Sequence, residues 1–327
     1  MSEIRKDILS GNWVILADNR MGKPYDFEFP KVQKERIKVC AFCPGNEDMT
    51  TDTISEVQGE KGWEIRVFSN KYPAVEGVID ADFSGEINIS GHAAGRHEIV
   101  VDTPMHGEKI QDFSEDKLKK LFLVLQERFR DMEKEEIIQY IHIFKNCGPS
   151  AGASVSHSHW QVLGVPFVPK GNEDVYENAR KFAEEKGRSI FESIIDAEKS
   201  EGSRIVAENE KFIAYVPYAS GLAFELHITD KVGGEAFGAF SCEKLECLAE
   251  IFKECLFMVG KIQEDICFNI SFSDAPRGSA KDFYNWYARI IPRFGSLAGF
   301  EMGTGAFINP VYPEKAAEFY RSVKKKK

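Results

Sequence analysis

Between residues 115 and 132 the apolar positions recur every three or four residues. Leu118, Leu121, Phe122, Leu125, Phe129 and Met132 fall on one face, the period of an amphipathic helix. Ser114 stands just before this run, where a helix N-cap belongs. Upstream, HEIVV at 97–101 places Ile99 and Val101 at alternate positions, the two-residue period of a strand. Downstream, IHIF at 141–144 and WQVLGVP at 160–166 read as two further strands with a polar loop between them.

The same grammar returns 127 residues later. FELHI at 224–228, with Leu226 and Ile228 alternating, precedes FSCEKLECLAEIFKECL, which matches FSEDKLKKLFLVLQERF. Glu98 pairs with Glu225, Phe113 with Phe240, Ser114 with Ser241, Lys117 with Lys244, Leu118 with Leu245 and Leu121 with Leu248, without a gap. CFNIS at 267–271 and ARIIPR at 288–293 complete the second copy. The pattern predicts an α+β fold of two tandem modules. The first spans 1–166 and the second 200–327, joined by a charged segment at 167–199 with a helix from about Glu173 to Glu185.

Composition narrows the class. The chain has 327 residues, 43% hydrophobic and 29% charged, which suits a globular protein with a buried core. No apolar run reaches the roughly 20 residues of a membrane helix, and MSEIRKDILSGNW lacks the apolar stretch of a signal peptide. These features place the chain in the cytoplasm as an expectation. Seven cysteines, odd in number and scattered, read as reduced thiols rather than a disulfide framework. The net charge of −10 gives no electrostatic footprint for nucleic acid, so anionic ligands must be held by local donors.

The chemistry concentrates in FKNCGPSAGASVSHSHWQVLGVP, residues 144–166. A strand enters a loop of small residues, which lets backbone approach an anion. His157, His159 and Gln161 follow at alternate positions and share a face in an extended segment. An imidazole beside a phosphate cradle can attack phosphorus and carry a covalent intermediate. Cys40 and Cys43 form CxxC before Pro44 and Gly45, which reads either as half of a zinc site or as a thiol pair.

His157-x-His159-x-Gln161 resembles the histidine-triad motif with its third histidine replaced by glutamine. That replacement is similar to the galactose-1-phosphate uridylyltransferase branch and related nucleotide-sugar phosphorylases. The likeness extends through GNWVILADNR, CAFCPGNE, FSNKYPA, HEIVVDTPMH, ENEKFIAYVPYASGLAFE and PRFGSLAGFEMGTGAFINP. It implies two histidine-triad modules, each an antiparallel sheet with packed helices. It also implies that His159 is the nucleophile and that Gln161 hydrogen-bonds the transferred phosphoryl group. Asn146, Gly152 and Ser154 would contact phosphates, Asn70 the nucleotide, Arg20 the sugar phosphate, and Phe300 and Glu301 the hexose. The metal ligands implied are Cys40, Cys43, His106 and His157 around one structural Zn2+, and the assembly implied is a homodimer.

Some positions depart from the family pattern. Asn285 and Tyr287 stand where many relatives carry a second HxH pair, and Ser158 where proline is usual. Trp160 reads as core packing or as part of a base pocket. The leading expectation is transfer of a nucleoside monophosphate between a sugar nucleotide and a sugar 1-phosphate, as from UDP-glucose to galactose 1-phosphate. The alternatives are a phosphorylase of ADP-sugars or dinucleoside polyphosphates that uses inorganic phosphate, and a non-catalytic nucleotide-binding module.

Overall fold

The computed structural model describes residues 2–18, 39–77, 80–295 and 297–324; Arg20 lies outside them. In chain order the described elements are β1 (Glu3–Lys6), β2 (Trp13–Leu16), β3 (Thr53–Gly59), β4 (Gly62–Ser69), β5 (Arg96–Val101), α1 (Glu115–Met132), β6 (Tyr140–Cys147) and β7 (His159–Val165). After these come α2 (Lys170–Lys186), α3 (Ile190–Glu201), β8 (Ile205–Glu208), β9 (Phe212–Tyr215), β10 (Leu226–Asp230), α4 (Cys242–Gly260), β11 (Phe268–Ser273), β12 (Tyr287–Pro292), α5 (Gly299–Thr304), β13 (Phe307–Asn309) and α6 (Pro313–Lys324).

The repeat folds as the pattern predicts. Ser114 and Ser241 each accept the N–H of the residue three positions on, Lys117 and Lys244, at 3.2 Å. Lys117 then pairs with Glu108 and Lys244 with Glu235, at the same 127-residue spacing. Leu118, Leu121, Phe122 and Leu125 of α1 and Leu245, Leu248 and Phe252 of α4 are buried in one core with Trp160, Val162, Ile270, Ile228 and Ile290 of the strands. Both helices therefore cover the same face of the sheet. Trp160 belongs to that core: it is fully buried, edge-on to Phe272 at 5.4 Å.

The two modules join edge to edge. Ten strands form one antiparallel sheet in the order β3-β4-β5-β7-β6-β11-β12-β10-β9-β8, a palindrome about the β6–β11 seam. There Asn146 pairs with Asn269 and Lys145 with Ile270. A small sheet, β1-β2-β13, flanks this one. The connecting segment contains α2, as expected, and a second helix, α3, which the charge-rich reading did not separate.

One equivalence changes in three dimensions. Glu98 and Glu225 match in sequence, yet they face opposite sides of the sheet. Glu98 meets Arg128 of α1 at 2.8 Å on the helix side. Glu225 meets His227 and Arg289 on the open side. The strand pairs that correspond are Val101–His159 with Thr229–Tyr287, and Ile99–Gln161 with His227–Arg289. The strands are thus offset by one residue relative to the helices, and a one-residue slip sends every side chain to the other face. The two glutamates that align in the repeat therefore hold different places in the fold.

Candidate active site

Four ligand atoms from distant parts of the chain converge: Cys40, Cys43, His106 and His157, all within 4.8 Å of one another. Cys40 Sγ lies 3.6 Å and Cys43 Sγ 3.6 Å from His157 Nδ1, and Cys43 Sγ lies 3.5 Å from His106 Nδ1. Two thiols and two imidazoles at such spacing could hold a metal ion with a closed donor set. His157 Nε2–H donates to the Thr103 carbonyl at 2.7 Å, which leaves Nδ1 as the ligating nitrogen. Phe42, between the two cysteines, sets its ring edge-on to His159 at 5.3 Å and to Phe68 at 5.4 Å. The CxxC turn therefore also buttresses the next histidine of the motif.

His159 opens β7 and is buried. Its Nδ1–H donates to the His157 carbonyl at 2.8 Å, so the lone pair is on Nε2. Burial, aided by the Lys145 ammonium, holds the imidazole down at about 4. Lys145, on the adjacent strand, directs its Nζ to Asp102 Oδ2 at 2.8 Å, Ser158 Oγ at 2.8 Å and the His159 carbonyl at 3.0 Å. An ammonium has three protons, and these three acceptors match them. Ser158, where the family pattern has proline, thereby has a partner.

Gln161 shares the open face with His159. Its Oε1 lies 2.9 Å from Nε2 of His97 on β5. Asn70 is tied to the same place: its N–H donates to the His97 carbonyl at 2.7 Å, and its side-chain nitrogen lies 3.3 Å from His97 Nε2. Asn146, at the end of β6, accepts through Oδ1 from Asn269 at 2.8 Å, so its own amide protons remain for another partner. The same Asn269 amide donates to the Ala151 carbonyl at 2.8 Å and pins the loop.

Gly148 and Gly152 take φ of +83° and +84° there, and a Cβ on Gly148 would collide with the Cys267 sulfur. The Gly152 N–H is spent on the Pro149 carbonyl at 2.9 Å. Gly152 therefore supplies a left-handed turn rather than a free donor. Ser154 is exposed at the loop.

Phe300 and Glu301 lie on α5. Glu301 Oε2 accepts the Ala298 N–H at 3.1 Å, closing the first turn of its own helix. Among the described residues no hydrogen bond or ring contact joins either to His159 or Gln161. The residues that motif reasoning passed over are His97, Lys145, Phe42 and Asn269. His97 was detectable in principle, since alternation in HEIVV sets it on the face shared by Ile99 and Val101.

Residues 1–169 match the N-terminal domain of galactose-1-phosphate uridyl transferase. The fold is that of an α+β transferase, and the chain belongs to the galactose-1-phosphate uridylyltransferase family. It is 28% identical to ADP-glucose phosphorylase of Arabidopsis thaliana, over 98% of this chain and 93% of that protein. It is 27% identical to galactose-1-phosphate uridylyltransferase of Thermotoga maritima, over 98% of each. The crystal structure of the Arabidopsis ADP-glucose phosphorylase with bound ADP-glucose superposes with a TM-score of 0.84 at 28% identity, over 98% of both chains. No described helix is long and apolar enough to cross a membrane.

Proposed function

We propose that the protein transfers a nucleoside monophosphate from a sugar nucleotide to a phosphate-bearing acceptor through a covalent nucleotidyl-His159. The observation that carries this reading is the His159 Nδ1–H bond to the His157 carbonyl, which leaves Nε2 unprotonated on the open face beside Gln161. In the first half-reaction Nε2 attacks the α-phosphorus. The P–N bond forms, the bond to the bridging oxygen breaks, and the sugar 1-phosphate leaves with the electron pair. In the second, a phosphate oxygen of the acceptor attacks phosphorus and the P–N bond breaks. An ionised phosphate needs no general base, which suits a neutral amide at Gln161. Asn146 and Ser154 face the phosphates, Asn70 the nucleotide, and Phe300 and Glu301 the hexose. The acceptor favoured is a sugar 1-phosphate, as in UDP-glucose with galactose 1-phosphate.

A second reading, phosphorolysis of an ADP-sugar by inorganic phosphate, draws on the Arabidopsis relative and its ADP-glucose complex. Zinc is the ion that Cys40, Cys43, His106 and His157 suit: a tetrahedron with Zn–S of about 2.3 Å and Zn–N of about 2.05 Å has S···N edges near 3.6 Å. The ion would brace the start of β7 and take no part in the chemistry. Residues 1–166 act as the catalytic module, 167–199 as a helical linker and 200–327 as a supporting module, in a homodimer.

The test is to incubate the protein with α-labelled UDP-glucose and ADP-glucose separately. Label should stay on the protein, be stable to base and labile to acid, and vanish in His159→Ala. Discharge by galactose 1-phosphate identifies the transferase, and discharge by phosphate alone the phosphorylase. No label from either nucleotide, or persistent label in His159→Ala, overturns the covalent mechanism. His159→Gly should regain turnover with added imidazole.

A further inference from the structure

The imidazole of His97 is held by a contact that admits one tautomer. The backbone N–H of Ala74 donates to His97 Nδ1 at 3.1 Å. A ring nitrogen that accepts an N–H cannot carry a proton of its own, so Nδ1 is bare and the neutral ring carries its proton on Nε2. That Nε2 lies 2.9 Å from Gln161. A donor at this distance requires an acceptor, and the carbonyl oxygen is the only acceptor on a glutamine side chain. Gln161 Oε1 must therefore face His97, and the NH2 end must point the other way. Backbone geometry thus settles which end of the amide faces out, a choice that is otherwise open for a side chain with two similar ends.

Asn70 Oδ1 accepts the Tyr72 N–H at 2.9 Å, which turns the Asn70 NH2 group toward the His97 ring; its nitrogen lies 3.4 Å from Nδ1 and 3.3 Å from Nε2 and selects neither tautomer, which the Ala74 N–H alone fixes. His97 is half-buried, and removal from water disfavours its charged form. A charged ring would place a second proton on Nδ1, against the Ala74 N–H.

We infer that His97 is a positioning residue: it locks the Gln161 amide with its NH2 group outward, so that Gln161 donates to the transferred phosphoryl oxygen. The consequence for catalysis rests on the covalent transfer reading above; the orientation itself does not. A Gln161 free to rotate would present its oxygen to an anionic phosphoryl group for part of the time, which is repulsive where the reaction needs a donor.

Two substitutions divide the ring between its nitrogens. In His97→Gln the side-chain amide can occupy the place of Nε2 and donate to Gln161. In His97→Asn the oxygen can take the place of Nδ1 and accept from Ala74, but nothing reaches Gln161. Single-turnover labelling with UDP-glucose and ADP-glucose is measured for wild type and both variants, with thermal melting alongside. His97→Asn should melt near wild type and label roughly tenfold or more slowly at saturating nucleotide, with half-saturation little changed, the size of a lost hydrogen bond to a charged group. His97→Gln should recover most of that rate. A purely structural histidine predicts the reverse order, and that order overturns the assignment, as does full activity in both variants. Ring 15N NMR of the free protein should show the proton on Nε2 of His97; a proton on Nδ1 also overturns it. If the wild-type protein takes no label, the transfer reading falls, and the NMR result still decides the orientation.

Discussion

Lys145 reaches from β6 to the main-chain carbonyl of His159 on β7, with Nζ 3.0 Å from that oxygen and 2.8 Å from Asp102. Both charged side chains are almost fully buried. Removing one partner of a buried pair leaves the other uncompensated, at a cost of about 3–5 kcal/mol. Lys145→Met should lower stability by that order in urea unfolding and slow labelling at His159. Lys145→Met with Asp102→Leu should recover part of the stability. A single variant as stable as wild type would refute the claim.

Metal and fold should move together. A structural ion contributes folding free energy directly. Cys43→Ser should lower both the zinc content, by elemental analysis, and the melting temperature. Wild type should carry one tightly bound zinc per chain. Two tight sites would contradict the reading of Asn285 and Tyr287, whose side chains are engaged otherwise: Asn285 donates to the Asp230 carbonyl at 2.7 Å and Tyr287 stacks on His227.

Asp274 makes a pH-dependent contribution. Burial pushes its carboxyl up to about 6, against the pull of the Phe237 N–H, Lys281 and the Ala275 N–H. The unfolded value is near 3.9. A carboxyl raised on folding contributes stability in full below the unfolded pKa, and loses that contribution as pH rises through the folded one. The stability of wild type relative to Asp274→Asn should therefore fall between about pH 4 and pH 6. Urea titrations at stepped pH measure this difference; a value that is constant or rises with pH is the contrary result.

Glu301→Gln should weaken the half-reaction that uses the sugar phosphate. A carboxylate accepts hydrogen bonds from sugar hydroxyls better than an amide does. Nucleotidylation of His159 from a good leaving group should persist. The Ala298 N–H cap can be kept by the amide oxygen, so the helix should stay formed. Unchanged steady-state kinetics with every sugar phosphate tested would put the sugar site elsewhere.

What the sequence alone determined is local. The 3.6-residue period with Ser114 and Ser241 as caps specified α1 and α4, because caps and amphipathic faces involve residues a few positions apart. Alternation specified β5 through β7 and β10 through β12 for the same reason. The candidate chemistry at His157, His159 and Gln161 was legible because the three stand within five residues, at the entry and start of β7.

The tertiary structure decided everything that depends on register between distant segments. The sequence repeat aligned Glu98 with Glu225, while strand pairing set them on opposite faces. No local rule places Ala74 against His97, His97 against Gln161, or Lys145 under His159 and Asp102. Those contacts follow from which strand lies beside which and in what register. The packed core of all ten strands sets that register, and a slip of one residue reverses each face. The motif singles out His159 as the candidate nucleophile; the fold sets its tautomer, its neighbours and the direction of the amide beside it.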